Sequence, residues 1–273
     1  MKSRSEIHQQ NNISYPKKRL NPLAIVFDAI IITFLFASLI LSHTLLSERF
    51  AKNEVANSTL SSVMVNLVSQ NLSQYGIPTS QIPESQVNKL LKEAVGDIYE
   101  GKSIELNLEP ILMRTESTIT KQAAQYGINA TVESDTLQSA NKTASDTLNS
   151  QLNTPQVSAF ITGLGVAKTI NWIVLIVSGI ITGLIIIRSI LKRQIFAKFF
   201  WICLISSIIV YILIIGLVTG ITEVGSSYSD FVSFTSQLST DFQTSAQEIW
   251  YILPAMTGIF GLGAIAKFLL GRR

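Results

Sequence analysis

Three consecutive stretches decide the class of this chain: TINWIVLIVSGIITGLIII (169–187), RSILKRQIFAK (188–198) and FFWICLISSIIVYILIIGLVTGI (199–221). Each outer run is long enough to cross a bilayer, since about 20 apolar helical residues span the hydrocarbon core. The linker carries Arg188, Lys192, Arg193 and Lys198 and no acidic residue. Short loops rich in Lys and Arg resist translocation. This turn is therefore expected in the cytoplasm, and its side fixes the side of everything else.

The composition agrees. Only 14% of residues are charged, against roughly 25% in soluble domains, which favours a membrane protein. The net charge of +3 conceals an asymmetry: residues 44–167 hold 8 Lys/Arg against 12 Asp/Glu, and 223–249 hold none against 4. Basic residues thus gather in the segments assigned to the cytoplasm. They read as topology signals, and no basic stripe for nucleic acid remains. The single cysteine, Cys203, lies inside an apolar run; it allows no intramolecular disulfide and reads as a packing residue.

Two further apolar runs complete the set. Leu23 to Leu41 follows the basic cluster Lys17-Lys18-Arg19. It is longer than a signal-peptide core and lacks an Ala-x-Ala-like cleavage site, so it reads as an uncleaved signal anchor. Trp250 to Leu270 ends at Gly271-Arg272-Arg273, with Lys267 placed to snorkel. Trp250, Tyr251 and Trp172 fall where an interfacial aromatic belt belongs. The expected fold is an all-α polytopic membrane protein of four transmembrane helices, with a large extracytoplasmic helical domain between the first and second. Its order is a flexible cytoplasmic segment (1–22), the first span (23–43), the outer domain (44–167) and the second span (168–188). The basic turn (189–198), the third span (199–221), an outer amphipathic segment (222–249), the fourth span (250–270) and a cytoplasmic C-terminus (271–273) follow.

The outer domain is rich in Ser, Thr, Asn and Gln yet keeps helical periodicity. Leu60, Met64, Leu67 and Leu72 mark one helix, with Tyr75-Gly76 as its stop. Val87, Leu90, Leu91, Ala94, Val95 and Ile98 mark a second, opening at Pro83-Glu84-Ser85 and closing at Gly101. Glu109-Pro110 opens a third, with Leu112, Thr115, Ile119, Ala123 and Tyr126 on one face; Leu137, Ala140, Ala144, Leu148 and Leu152 mark a fourth. Strand character is confined to the alternation in Ser103–Leu108. The first and last outer helices are expected to continue from the adjoining spans. Gln-Tyr-Gly-Ile recurs at 74–77 and 125–128, and reads as a repeated helix stop. In 222–249, Val224, Tyr228, Phe231, Leu238, Phe242 and Ile249 share one helix face. That face must be covered, and the 44–167 domain is the expected cover.

Residues with chemical potential are few. Asp28 lies about one and a half turns into the first span. An ionisable residue within a span is a candidate for proton or cation handling; the plainer reading puts it near the interface, within reach of water or Lys17–Arg19. Gly179-x-x-x-Gly183 and Gly216-x-x-x-Gly220 are small-residue faces for close helix packing, within the chain or against a second copy. Pro254, Gly258 and Gly261, with Gly263, make the fourth span the most kink-prone. Gly163-Leu-Gly165-Val-Ala-Lys168 lacks the preceding strand and spacing of a phosphate loop and reads as the joint between outer domain and second span. Asp97, Glu100, Glu105 and Glu109 fit no EF-hand loop and read as a solvated acidic face. His8 and His43 fall on opposite sides of the membrane. No catalytic, cofactor or metal site is expected, and no enzyme activity.

These features point to a multi-pass plasma-membrane protein with both termini cytoplasmic, of bacterial style. Its partners would be the lipid bilayer and an envelope or membrane protein or a second copy, with no nucleic acid. The expected role is non-enzymatic sensing or protein interaction through the outer domain. The alternative is a small transporter, channel or accessory subunit of a transport complex, motivated by Asp28 and the fourth span.

Overall fold

A computed structural model describes residues 21–58, 60–73, 84–113, 117, 134–192, 195–226 and 232–270. Among them the structure is almost wholly helical, with no strand. Nine helices of ten or more residues are present among the described residues: α1 (Pro22–His43), α2 (Glu48–Asn57), α3 (Leu60–Ser73), α4 (Glu84–Glu100), α5 (Ser134–Leu152), α6 (Pro155–Leu191), α7 (Ile195–Ser226), α8 (Val232–Trp250) and α9 (Ile252–Leu270). Four helical stretches are long and apolar enough to cross a membrane: α1, α6, α7 and the nearly continuous α8–α9. The chain therefore has the architecture of a multi-pass membrane protein. The Gln-Tyr-Gly-Ile echo, Thr115, Ile119, Ala123, Tyr126, Tyr228, Phe231 and residues 1–20 and 271–273 lie outside the described residues.

The helices build two separate cores. One is the apolar bundle, where Ile25, Ala29, Ile32 and Phe36 of α1 meet Ile185 of α6, Phe199, Ile202 and Val210 of α7, Phe242 of α8 and Leu253 of α9. Outward it shows Ile173, Val177, Ile180 and Leu184 on α6 and Leu262, Ile265 and Phe268 on α9, a surface suited to lipid. The second core belongs to a polar helical unit. Met64 and Val68 of α3, Val87 and Leu90 of α4, Ile104, Leu106 and Leu108 of the following segment, and Ala144 and Leu148 of α5 close over one another. The expected apolar stripes of these helices are the buried ones at Met64, Val87, Leu90, Ala94, Ala144 and Leu148.

Helix ends follow their chemistry. Gly101 takes φ 78° after α4, where its N–H reaches Ile98 O and the Lys102 N–H reaches Asp97 O. Glycine adopts that left-handed conformation without a Cβ penalty. The outer helices α2 and α5 do not continue from the spans as expected, although α6 begins inside the outer segment at Pro155 and runs unbroken through the second span. After α1, the Thr44 hydroxyl and N–H both turn back to Ile40 O, and Ser47 caps a new helix through the Phe50 N–H. Between α5 and α6, Thr154 caps through the Val157 N–H and Pro155 takes the first helical position. Proline there starts a helix and forbids continuation of the one before.

The chain α7–α8–α9 forms a long antiparallel hairpin. Gly225 meets Thr235, Ser207 O accepts from Trp250 Nε1 at 2.9 Å, Phe200 meets Gly261 and Phe196 meets Gly263. The run 199–221 consequently lies beside roughly residues 238–260, and the apolar run 250–270 is displaced from it by about 18 Å at helical rise. Helix α8 thus lies along the C-terminal half of α7, not beyond it. It packs chiefly against α7, then against α1, and also touches α2. Phe242 is covered in the apolar bundle, whereas Val224, assigned to the same face by its spacing, is exposed. The helix is interrupted at Tyr251, one turn before Pro254, whose missing N–H leaves the Trp250 carbonyl without a helical donor.

Candidate functional site

The structure places four polar constellations along the molecule, and the first is a groove of about 960 Å³ on the polar unit. One wall is the extended segment 103–107 and the other is α5, contributing Gln138, Lys142, Asp146 and Asn149. The alternation at 103–108 sends Ile104, Leu106 and Leu108 into the core while Ser103, Glu105 and Asn107 stay exposed. A segment of strand periodicity with no neighbouring strand leaves its inward backbone groups unpaired. Side chains of α5 and of Asn153 just after it pair them. Asn153 Oδ1 accepts the Ile104 N–H and its Nδ2 donates to Ile104 O, both at 2.8 Å. Asn149 repeats this at Leu106, at 2.8 and 3.4 Å, and Ser145 Oγ accepts the Leu108 N–H at 3.4 Å.

The geometry follows from two periods. Four helical residues rise about 6.0 Å and two extended residues about 6.6 Å. Ser145, Asn149 and Asn153 therefore face Leu108, Leu106 and Ile104 in turn, each asparagine amide standing in for a neighbouring peptide. These residues carry no signal in composition alone. The signal that finds them is their spacing of four, read against an apolar alternation of two elsewhere in the chain.

A joint links the groove's helices to the bundle. Lys168 Nζ donates to Tyr99 O at 2.7 Å and lies 4.4 Å from the centroid of the Tyr99 ring. The Tyr99 hydroxyl donates in turn to Leu45 O at 2.6 Å. Burial, and then the nearby Glu48, push the Tyr99 phenol up to about 12, so it stays a donor throughout the physiological range. The residues 163–168 that resemble a glycine loop are mid-helix in α6, and Lys168 serves this joint.

At the far end of the bundle Asp28 on α1 pairs with Lys198 on α7, both side chains largely buried. The apolar runs themselves offer Asp28 no partner, and Lys198 belongs by sequence to the basic turn. The first turns of α7 carry it onto α1. A nearby contact fixes the same pair of helices, with Ser206 Oγ donating to Ala29 O at 2.8 Å. Opposite charges brought together this way form a neutral unit whose separation is costly.

The packing glycines divide. Gly179 lies in ordinary contact with Leu35, but nothing approaches within 4 Å of where a Cβ would stand at Gly183, Gly216, Gly220 or Gly258. Close approach occurs instead at Gly225, where a Cβ would collide with Thr235, and at Gly263, where it would collide with Phe196; Gly261 leaves 3.2 Å to Phe200. The glycines after Pro254 thus include two that seat aromatic rings of α7.

The fourth constellation is at the contact of α2 with α8, where the buried Glu54 carboxyl lies close to the like-charged Asp241 carboxyl. Among the described residues no group of three or more His, Cys, Asp or Glu has the arrangement to hold a metal ion. No protein-family model, curated protein or solved structure matches the chain.

Proposed function

We propose that this chain is a non-enzymatic membrane protein of the cell envelope, whose polar unit lies outside the cytoplasm and senses or binds a partner. The observation that carries the reading is α6. Its 37 residues extend about 55 Å without interruption, well beyond the length needed to span a bilayer. Val157 at its start packs on the core of the polar unit, and Ile185 near its end belongs to the core of the bundle. A displacement at the groove would pass through α5 and the Tyr99–Lys168 joint into this one rigid element. Asp28, the starting point for a transport reading, is neutralised by Lys198, which leaves no lone carboxylate there to relay an ion.

The test has two arms in the native membrane. A cysteine placed at the exposed Ser139 of a Cys203→Ser chain should react with a membrane-impermeant maleimide in intact cells. Reaction only after lysis would invert the topology. A photo-crosslinker at Lys142 should capture a defined envelope partner that the same probe at Leu262 does not capture. Identical products from both positions would remove the groove as a recognition surface.

A further inference from the structure

Glu54 and Asp241 bring the polar unit and the α7–α8 hairpin face to face. Glu54 is 7% exposed, and its Oε2 is closed off from solvent with no donor among the surrounding groups. The Asp241 carboxyl of α8, the helix that packs on α2 here, lies close to it. Two carboxyl groups bond to each other only when one of them carries a proton; with both ionised, Oε2 is a buried acceptor facing a like charge. We propose that Glu54 and Asp241 share one proton, and that this proton latches α2 to α8.

The surroundings leave the proton as the ligand. Helix α3 carries no ionisable residue. On α2 itself, Lys52 is turned to Glu48 and lies by Gly96 of α4, while Tyr99 of α4 feels Glu48. On α1, Asp28 is held by Lys198, and the His43 ring faces Leu39 O. The other acid of α8, Glu248, is nearly two turns from Asp241, and α8 has no Lys or Arg. Among the described residues no Lys or Arg, Arg49 of α2 and Lys89 and Lys92 of α4 included, forms an ion pair with Glu54. Burial first, and then the Asp241 carboxyl, push the Glu54 carboxyl up from its ordinary 4.5 to about 7.

The sign follows from linkage. The closed contact binds the proton more tightly than separated helices do, so it is at full strength below the ordinary carboxylate pKa. It weakens as pH rises from about 4.5 and has lost its whole protonic contribution above about 7. The closed-to-open ratio should fall on the order of 100-fold across that window.

Spin labels at the exposed positions Asn53 and Thr240, in the full chain in nanodiscs, read the distance between α2 and α8. A short-distance population that dominates at about pH 5 and declines by about pH 8 is the expected result. Glu54→Gln and, separately, Asp241→Asn should hold the short distance at every pH, because a neutral amide donates where the proton did. A wild-type distribution that ignores pH would overturn the proposal. So would a pH response that persists in both variants, or one reproduced at fixed pH by adding Ca²⁺ and reversed by a chelator.

Discussion

The polar unit and the apolar bundle satisfy most of their buried polar groups by opposite means, with Thr33 Oγ1, Thr182 Oγ1, Asn88 Oδ1 and Glu54 Oε2 left over. In the polar unit the partners are distant in sequence. Asn149 and Asn153 satisfy the backbone of Leu106 and Ile104 across more than 40 positions. In the bundle they are mostly local. The hydroxyls of Ser178, Ser189, Thr219 and Thr222 each donate to a carbonyl one turn back, as do Thr240 and Thr244 on α8. Such back-bonding hides a donor from lipid, but it names no neighbour. Specificity between helices in the bundle therefore rests on a few bonds and shapes: Asn171 to Ser38 O and Ser42 Oγ, Ser206 to Ala29 O, Trp250 to Ser207 O, and Asp28 with Lys198.

The largest effect expected from a single change is at that ion pair. Lys198→Ala leaves a buried carboxylate at Asp28 and should cost about 3–5 kcal/mol, read as a fall in the unfolding midpoint in detergent. Asp28→Asn combined with Lys198→Met removes both charges and should recover most of the loss. If the single change were harmless, the bundle would be held by shape alone and the contrast with the polar unit would sharpen. The counterpart there is Asn149→Ala. It strips the partner from the buried Leu106 N–H and C=O and should cost about 1–3 kcal/mol. Amide exchange at Leu106 should accelerate while exchange in α7 stays unchanged. Acceleration in both would show that the two cores unfold as one.

Much of the fold was legible because it follows from period and length. Four long apolar stretches, the apolar faces of α3, α4 and α5, and Gly101 as the stop of α4 are all local signals. The candidate sites were less so, since each depends on which helix lies beside which. Asp28 acquires its partner only through the placement of α7, and Glu54 acquires Asp241 only because α8 folds back along α7. Hydropathy places the runs 199–221 and 250–270 at equal depth. The side chains that fix the hairpin register, Trp250, Phe200 and Phe196, have no such periodic signature. Spacing of small residues singled out Gly216 and Gly220, whereas the close approach is at Gly225 and Gly263.

That last difference supplies the smallest and most discriminating test. Gly225→Ala forces a methyl into Thr235 and should cost about 1–3 kcal/mol through displaced packing. Gly216→Ala meets open space and replaces the poorest non-proline helix former with the best, an intrinsic gain of up to about 1 kcal/mol. Within one chain it should be neutral or slightly stabilising. Both variants are compared by unfolding midpoint in the same detergent, and then by the same measure in bilayers. If Gly216→Ala is neutral in detergent but destabilising in bilayers, the Gly216–Gly220 face is covered there by another helix. The bundle would then use the same device between chains that Gly225 and Gly263 provide within one. If it is neutral in both, that face belongs to lipid, and close packing in this protein is confined to the α7–α9 hairpin.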